Sequence, residues 1–247
     1  MIKTVRIETI EDLLPLISEQ AYRPDLDRHR SDFVYRGMSN ADFRLETSLS
    51  RNCKSLQKQL EPAILRNFTK YAALEDPKVE RSVWHQMILG QHHGLPTRLM
   101  DWSQSSLVGL HFATMERDMD EISAHDAAVW RIDMKELAHH LPDRYREPLE
   151  ARSSVVFSVD TLAQVTESLS QYDEDMGDKA MAVIEPPSID LRIVNQYSFF
   201  SVIPTGMTDV EKFLDENTEH TAKFIIDIFQ IKSIECGNSY KLRRSRI

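Results

Sequence analysis

His85-Gln86-Met87-Ile88-Leu89-Gly90-Gln91-His92-His93-Gly94-Leu95-Pro96-Thr97-Arg98-Leu99-Met100-Asp101-Trp102-Ser103 gathers glutamine, histidine, arginine, aspartate and tryptophan into one short stretch. Apolar residues at helical spacing precede it and resume after it toward Phe112. The spacing therefore predicts two helices, over 80–93 and 106–117, joined by a polar turn that Gly94 and Pro96 pin. Turns between rigid elements are where binding and catalytic groups collect, so this stretch is the candidate site.

Working outward, Thr9 with Asp12 opens a first helix with a capping-box pattern, and Phe33–Gly37 reads as a strand ending in a turn. Residues 56–74 carry Leu60, Ile64, Phe68, Tyr71 and Leu74 on one helical face. Further on, the pattern predicts a strand at 127–132 and helices at 134–141 and 160–171, with Asp160 as N-cap. An acidic loop is expected at 172–179, strands at 181–185, 189–194, 198–203 and 222–228, and a helix at 208–217. Helices come first and strands dominate late. That order predicts an α+β fold, with helices packed on a mostly antiparallel and split β-sheet, rather than an alternating parallel one. Three stretches are expected: a lead-in with the first helix (1–30), the main domain (31–230) and a basic tail (231–247).

A chain of 247 residues with 41% apolar content and only 7 glycines has enough material for a real core. Its net charge of −9 argues against a broad nucleic-acid surface. Cys53 and Cys236 are far apart and form no CxxC pair, which points to a reducing, cytoplasmic setting without disulfides or thiolate zinc. No secretion signal is read at Met1-Ile2-Lys3-Thr4, and no apolar run is long enough for a membrane span. The charged run at 116–121 reads as a solvated helix end. Gly is too scarce for a P-loop, a dinucleotide-binding fingerprint or a nucleophile elbow.

Tyr35-Arg36-Gly37, followed by Phe43-Arg44-Leu45-Glu46-Thr47-Ser48-Leu49-Ser50-Arg51, resembles the (Phe/Tyr)-Arg-Gly motif and the stretch after it that give the FRG domain its name. Gln91–Ser103 resembles that family's second and most specific signature. Arg192-Ile193-Val194-Asn195-Gln196-Tyr197-Ser198-Phe199-Phe200-Ser201-Val202 is similar to its late strand. The resemblance runs from about residue 30 to 230. It implies a bacterial or phage-associated effector, a toxin or an antiphage-defence protein, with an antitoxin or defence-system partner.

The order of these motifs is also similar to the layout of ADP-ribosyltransferases. That resemblance implies NAD as cofactor, and a protein or nucleic-acid acceptor. Arg36 would hold an NAD phosphate or ribose, within a cofactor site of Tyr35, Arg36, Gly37, Gln91, Arg98, Trp102 and Ser103. Arg36, His92, Asp101 and Gln196 would be catalytic. Gln196 falls at the late position, where those enzymes use an acid. A neutral amide cannot offset a developing cation, which leaves Asp101 or Glu185 to supply the charge.

Each of these residues also has a structural reading. Arg36 or Arg98 could pair with Asp101, Asp101 could cap the 106–117 helix, Trp102 could be core, and Gln196, on its strand, could brace a loop. His92 and His93 are adjacent and point about 100° apart on a helix, so no metal site is expected. One of them suits hydrogen bonding or acid–base work. Two other functions fit the same residues: a non-catalytic module that binds a nucleotide or partner, and a metal-independent nuclease.

Overall fold

The computed structural model describes residues 1–17, 22–23, 28–29, 32–73, 79, 82–115, 124–187 and 196–228. The 189–194 strand, the 116–121 run and the basic tail lie outside the described residues. The fold is α+β with a mixed sheet, and the chain divides into two compact units.

The first unit comprises Met1–Phe43, Trp102–Asp133 and the segment from Thr218. Its strands are β1 (Lys3–Ile7), β4 (Phe33–Met38), β6 (Ala127–Asp133) and β10 (Ala222–Ile226), in the order β1-β10-β6-β4. The short β2 (Tyr22–Arg23) and β3 (Arg28–His29) pair apart from them. β1 runs parallel to β10, while β10–β6 and β4–β6 are antiparallel. A short 3-10 turn at Glu11–Leu13 leads into α1 (Leu14–Ile17). The expected capping box is present: Asp12 N donates to Thr9 Oγ1 at 3.3 Å, and the Asp12 carboxylate accepts from Thr9 N at 2.9 Å.

α5 (Ser106–Thr114) lies directly on β4. It comes so close that a Cβ on Gly37 would sit 2.0 Å from the Gly109 carbonyl oxygen and 2.5 Å from Ala113 N. The glycine of Tyr35-Arg36-Gly37 is therefore what lets a helix backbone rest on a strand backbone. Tyr35, Ala113, Val129, Phe224 and Ile226 form the core on that face of the sheet.

The second unit comprises Arg44–Asp101 and Met134–Asn217. It holds α2 (Ser48–Cys53), α3 (Gln57–Ala72), α4 (Val83–His92), α6 (Met134–His139), α7 (Asp143–Glu150), α8 (Val159–Val165), α9 (Leu169–Met176) and α10 (Val210–Asn217). Its strands β7 (Phe157–Ser158), β8 (Ala182–Glu185) and β9 (Ser198–Val202) pair in that order, β7 parallel to β8 and β9 antiparallel to it. Side-chain oxygens of Thr47, Ser82, Ser158 and Ser168 cap α2, α4, α8 and α9. Each cap is worth about 1 kcal/mol.

Three local expectations are corrected here. The 160–171 helix is two helices, because Ser168 caps a new one. The acidic stretch expected as a loop is mostly α9, with Leu169, Tyr172 and Met176 spaced to face the core. Residues 99–103, read as part of a polar turn, form strand β5 (Leu99–Ser103), within which the chain passes from the second unit to the first.

Tyr172 is fully buried, donates to Val202 O at 2.8 Å and accepts from Ala182 N at 3.0 Å. Burial pushes its phenol well above the usual tyrosine range, against a smaller downward pull from the Ala182 N–H. Burial, and then the hydrogen bond to Asp175, raise Tyr145 in the same direction. A raised folded pKa gives stability that is complete below the unfolded value of about 10 and is lost as pH climbs from there through the folded value. Denaturation midpoints are thus expected to hold level through neutral pH and fall above about pH 10. Tyr172→Phe, which cannot ionise, should flatten that fall.

Candidate active site

α4 ends in a Schellman motif. His93 is the C-cap and Gly94 follows with φ of 80°. Gly94 N donates to Gln91 O at 3.0 Å and Leu95 N to Gly90 O at 2.9 Å. The expected role of Gly94 as the helix terminator is met. Pro96 follows, and Thr97 enters a buried position, 1% exposed.

Thr97 organises the stretch. Its hydroxyl donates to Gln91 Oε1 at 2.5 Å and accepts from Leu99 N at 3.1 Å. Its backbone N donates to Ser48 Oγ at 3.1 Å, and its carbonyl accepts from Leu49 N at 3.0 Å. The Thr47-Ser48-Leu49 stretch is thereby joined to Thr97: Thr47 caps α2, Ser48 and Leu49 grip the Thr97 backbone, and the Leu49 side chain is in the core. With its oxygen engaged by Thr97, the Gln91 amide directs its NH2 at Asp101, 3.0 Å from Oδ1 and 3.1 Å from Oδ2. Asp101 is exposed on β5. A chain of hydrogen bonds thus runs from the backbone of β5 through Thr97 and Gln91 to a solvent-facing carboxylate. Thr97 was not among the sequence candidates; a small hydroxyl between proline and arginine carries no signal of its own.

His92 and His93 are exposed at the end of α4, their rings 5.2 Å apart and nearly perpendicular, with His93 also 5.9 Å from the Phe68 ring. One α4 terminus therefore presents Gln91, His92 and His93, and Gln91 holds Asp101.

Arg98 is placed elsewhere. It is 2% exposed, and its guanidinium is clasped by Glu61 of α3 and Asp173 of α9. Burial alone would lower its pKa, but the hydrogen bonds and charges of Glu61 and Asp173 outweigh that, and the group is held above its ordinary value. The alternative of an Arg98–Asp101 pair is overturned: both faces of the fork are turned inward. Asp173 also accepts from Thr205 N at 3.0 Å and Thr205 Oγ1 at 2.6 Å. The N-cap alternative for Asp101 is overturned too, since Ser105 caps α5.

In the first unit, Tyr35, Trp102 and Ser103 are interior, at 3%, 3% and 5% exposed. Ser103 Oγ accepts from Ser105 N at 3.0 Å, shaping the turn into α5. Gly37 is the packing contact described above, and Arg36 is half-buried on β4 opposite Trp130 of β6. In the second unit, Gln196 lies in a turn before β9 and not on a strand; Tyr197 beside it has φ of 47°. Glu185, the other acid considered, ends β8 with its side chain exposed.

Among the described residues no helix is long and apolar enough to cross a membrane. No curated protein and no solved structure matches the chain. The family model of the FRG domain matches residues 31–121, a span that takes in β4, the Thr47–Ser50 cap, the Schellman turn, the Gln91–Asp101 network and α5. The late stretch at 192–202 lies beyond the matched residues. Over residues 31–121 the chain is similar to the FRG domain.

Proposed function

We propose that this protein acts on NAD or a closely related nucleotide, breaking the nicotinamide–ribose bond, as a bacterial or phage-associated toxin or defence effector. Asp101 carries the reading. It is an exposed carboxylate held in place by an amide that Thr97 has already oriented. When the ribose C1′–N bond breaks, nicotinamide leaves with the electron pair and positive charge develops on the ribose. A fixed carboxylate stabilises that charge without having to reorganise. The acceptor, water or a nucleophile of a protein or nucleic acid, then bonds to C1′ and gives up its proton. His92, exposed beside Gln91, suits the proton transfer.

Asp101→Asn keeps the shape and removes the charge. It is expected to lower nicotinamide release by about 100-fold or more while leaving the circular dichroism spectrum unchanged. Release unaffected by the substitution, or absent from folded wild-type protein, would reject the reaction. A second reading, a nucleotide- or partner-binding module without turnover, is favoured by the burial of Tyr35, Arg98, Trp102 and Ser103, four residues expected to line a cofactor site. Saturable NAD binding without nicotinamide release would select it.

A further inference from the structure

Helices α2 and α3 of the second unit carry a charge pattern opposite to that of the chain as a whole. Acids outnumber bases 39 to 30 over the full sequence. From Ser48 to Ala72, however, stand five cations, Arg51, Lys54, Lys58, Arg66 and Lys70, against one acid, Glu61. Glu61 is buried and taken up by Arg98. All five cations are exposed, and among the described residues none of their side chains forms an ion pair. A helix advances about 100° and about 1.5 Å per residue, so Lys58, Arg66 and Lys70 share about 120° of arc in a stripe about 18 Å long. Arg51 and Lys54 continue the run onto α2, which packs against α3.

Two further observations bear on this surface. Lys54 ends α2 with φ of 50° and ψ of −130°, backbone that glycine adopts freely and lysine only under strain. Glycine would suit the turn better, so the lysine is accounted for by its side chain. The other observation is a group of rings at the far end of the stripe. Tyr71 is 68% exposed, and the Lys70 ammonium lies 5.4 Å from the centre of its ring. About one turn earlier on α3, the Phe68 ring stands 5.9 Å from that of His93, which in turn stands 5.2 Å from that of His92.

Cations along a line suit a row of phosphates, and exposed rings suit the flat faces of bases. A strand with unpaired bases offers both at once, whereas a duplex hides its base faces inside the stack. An acidic peptide offers charge without flat rings. A lipid surface would need an apolar helix face to sink into it, and that of α3, with Leu65, is packed in the core. We propose that the α2–α3 surface binds single-stranded nucleic acid, with phosphates along Lys58, Arg66 and Lys70 and a base stacked on Tyr71. The net charge of −9 confines the binding to this narrow track. It does not rest on the reaction at Asp101, since neither Gln91 nor Asp101 takes part in it.

The test is titration of the whole protein, without NAD, into fluorescently labelled oligothymidine and oligouridine, read by anisotropy over a salt series. Saturable binding of either strand is expected, with a log–log salt slope of about −2 to −3.5 for three to five neutralised phosphates. The triple variant Lys58→Gln/Arg66→Gln/Lys70→Gln should weaken binding at least tenfold and flatten the slope by about 2. Tyr71→Ser should weaken it about tenfold and leave the slope unchanged, because stacking carries no counterion. Lys179→Gln/Lys212→Gln, which removes exposed charge elsewhere in the same unit, should bind as wild type does. No saturable binding by folded wild type at low salt would overturn the proposal. So would equal affinity for a duplex of the same length, equal capture by phosphatidylserine vesicles, or unchanged affinity in the folded triple variant. Because NAD is absent throughout, a failure here leaves the reaction at Asp101 untouched, and loss of nicotinamide release in Asp101→Asn leaves this binding intact.

Discussion

Gly37→Ala lowers the stability of the protein by about 3 kcal/mol or more. The added methyl has nowhere to go: it would sit 2.0 Å from the Gly109 oxygen and 2.5 Å from Ala113 N, both of them helix backbone. A flexible side chain can rotate away from a clash. Here either α5 must lift off β4 or the strand must bow, and both open the core formed by Tyr35, Ala113 and Val129. Gly109→Ala is the matched comparison. Its methyl would be 3.0 Å from Tyr35 Cβ and 3.4 Å from Val129 Cγ1, contacts that small shifts relieve, so a loss of about 1 kcal/mol is expected. Chemical denaturation of the two variants checks the ordering. Equal midpoints would mean that α5 does not rest on Gly37. The effect also explains the third letter of the Tyr-Arg-Gly motif as a packing requirement, with no ligand needed.

That example shows what the sequence could and could not disclose. The elements were legible where side-chain period or chemistry is local: the Thr9–Asp12 capping box, the apolar run of β6, Gly94 as the end of α4. They were illegible where the deciding partner is remote in the chain. Leu99–Ser103 has too mixed a pattern to read as a strand, because Asp101 is exposed while its neighbours are buried. Residues 172–176 look like an acidic loop until Asp173 meets Arg98, 75 positions earlier. The site was read with similar unevenness. Gln91 and Asp101 were singled out separately, the hydrogen bond between them depends on Thr97, and four residues that looked like ligand groups turn inward. Polar residue type marks where chemistry or a buried network will be; only the fold separates the two.

Arg98 is where that separation has its largest measurable consequence. Arg98→Met is expected to cost about 3–5 kcal/mol, because it strands two carboxylates inside the second unit. Glu61 is 2% exposed and would lose the guanidinium that satisfies both its oxygens. Asp173 would keep its bonds from Thr205 but lose its counter-charge. Arg98→Lys should recover little, since a single ammonium cannot reproduce a fork held by carboxylates from two helices. The double variant Arg98→Met/Glu61→Leu should be more stable than Arg98→Met alone, because it removes the stranded carboxylate along with its partner. Denaturant midpoints for the two single variants and the double give the coupling directly. An arginine that served a ligand would behave in the opposite way: its loss would weaken binding and leave the midpoint within about 0.5 kcal/mol of wild type. With Glu61 and Asp173 closed around it, Arg98 joins α3 to α9, and the exposed charged group of this stretch is the carboxylate of Asp101, three residues further on.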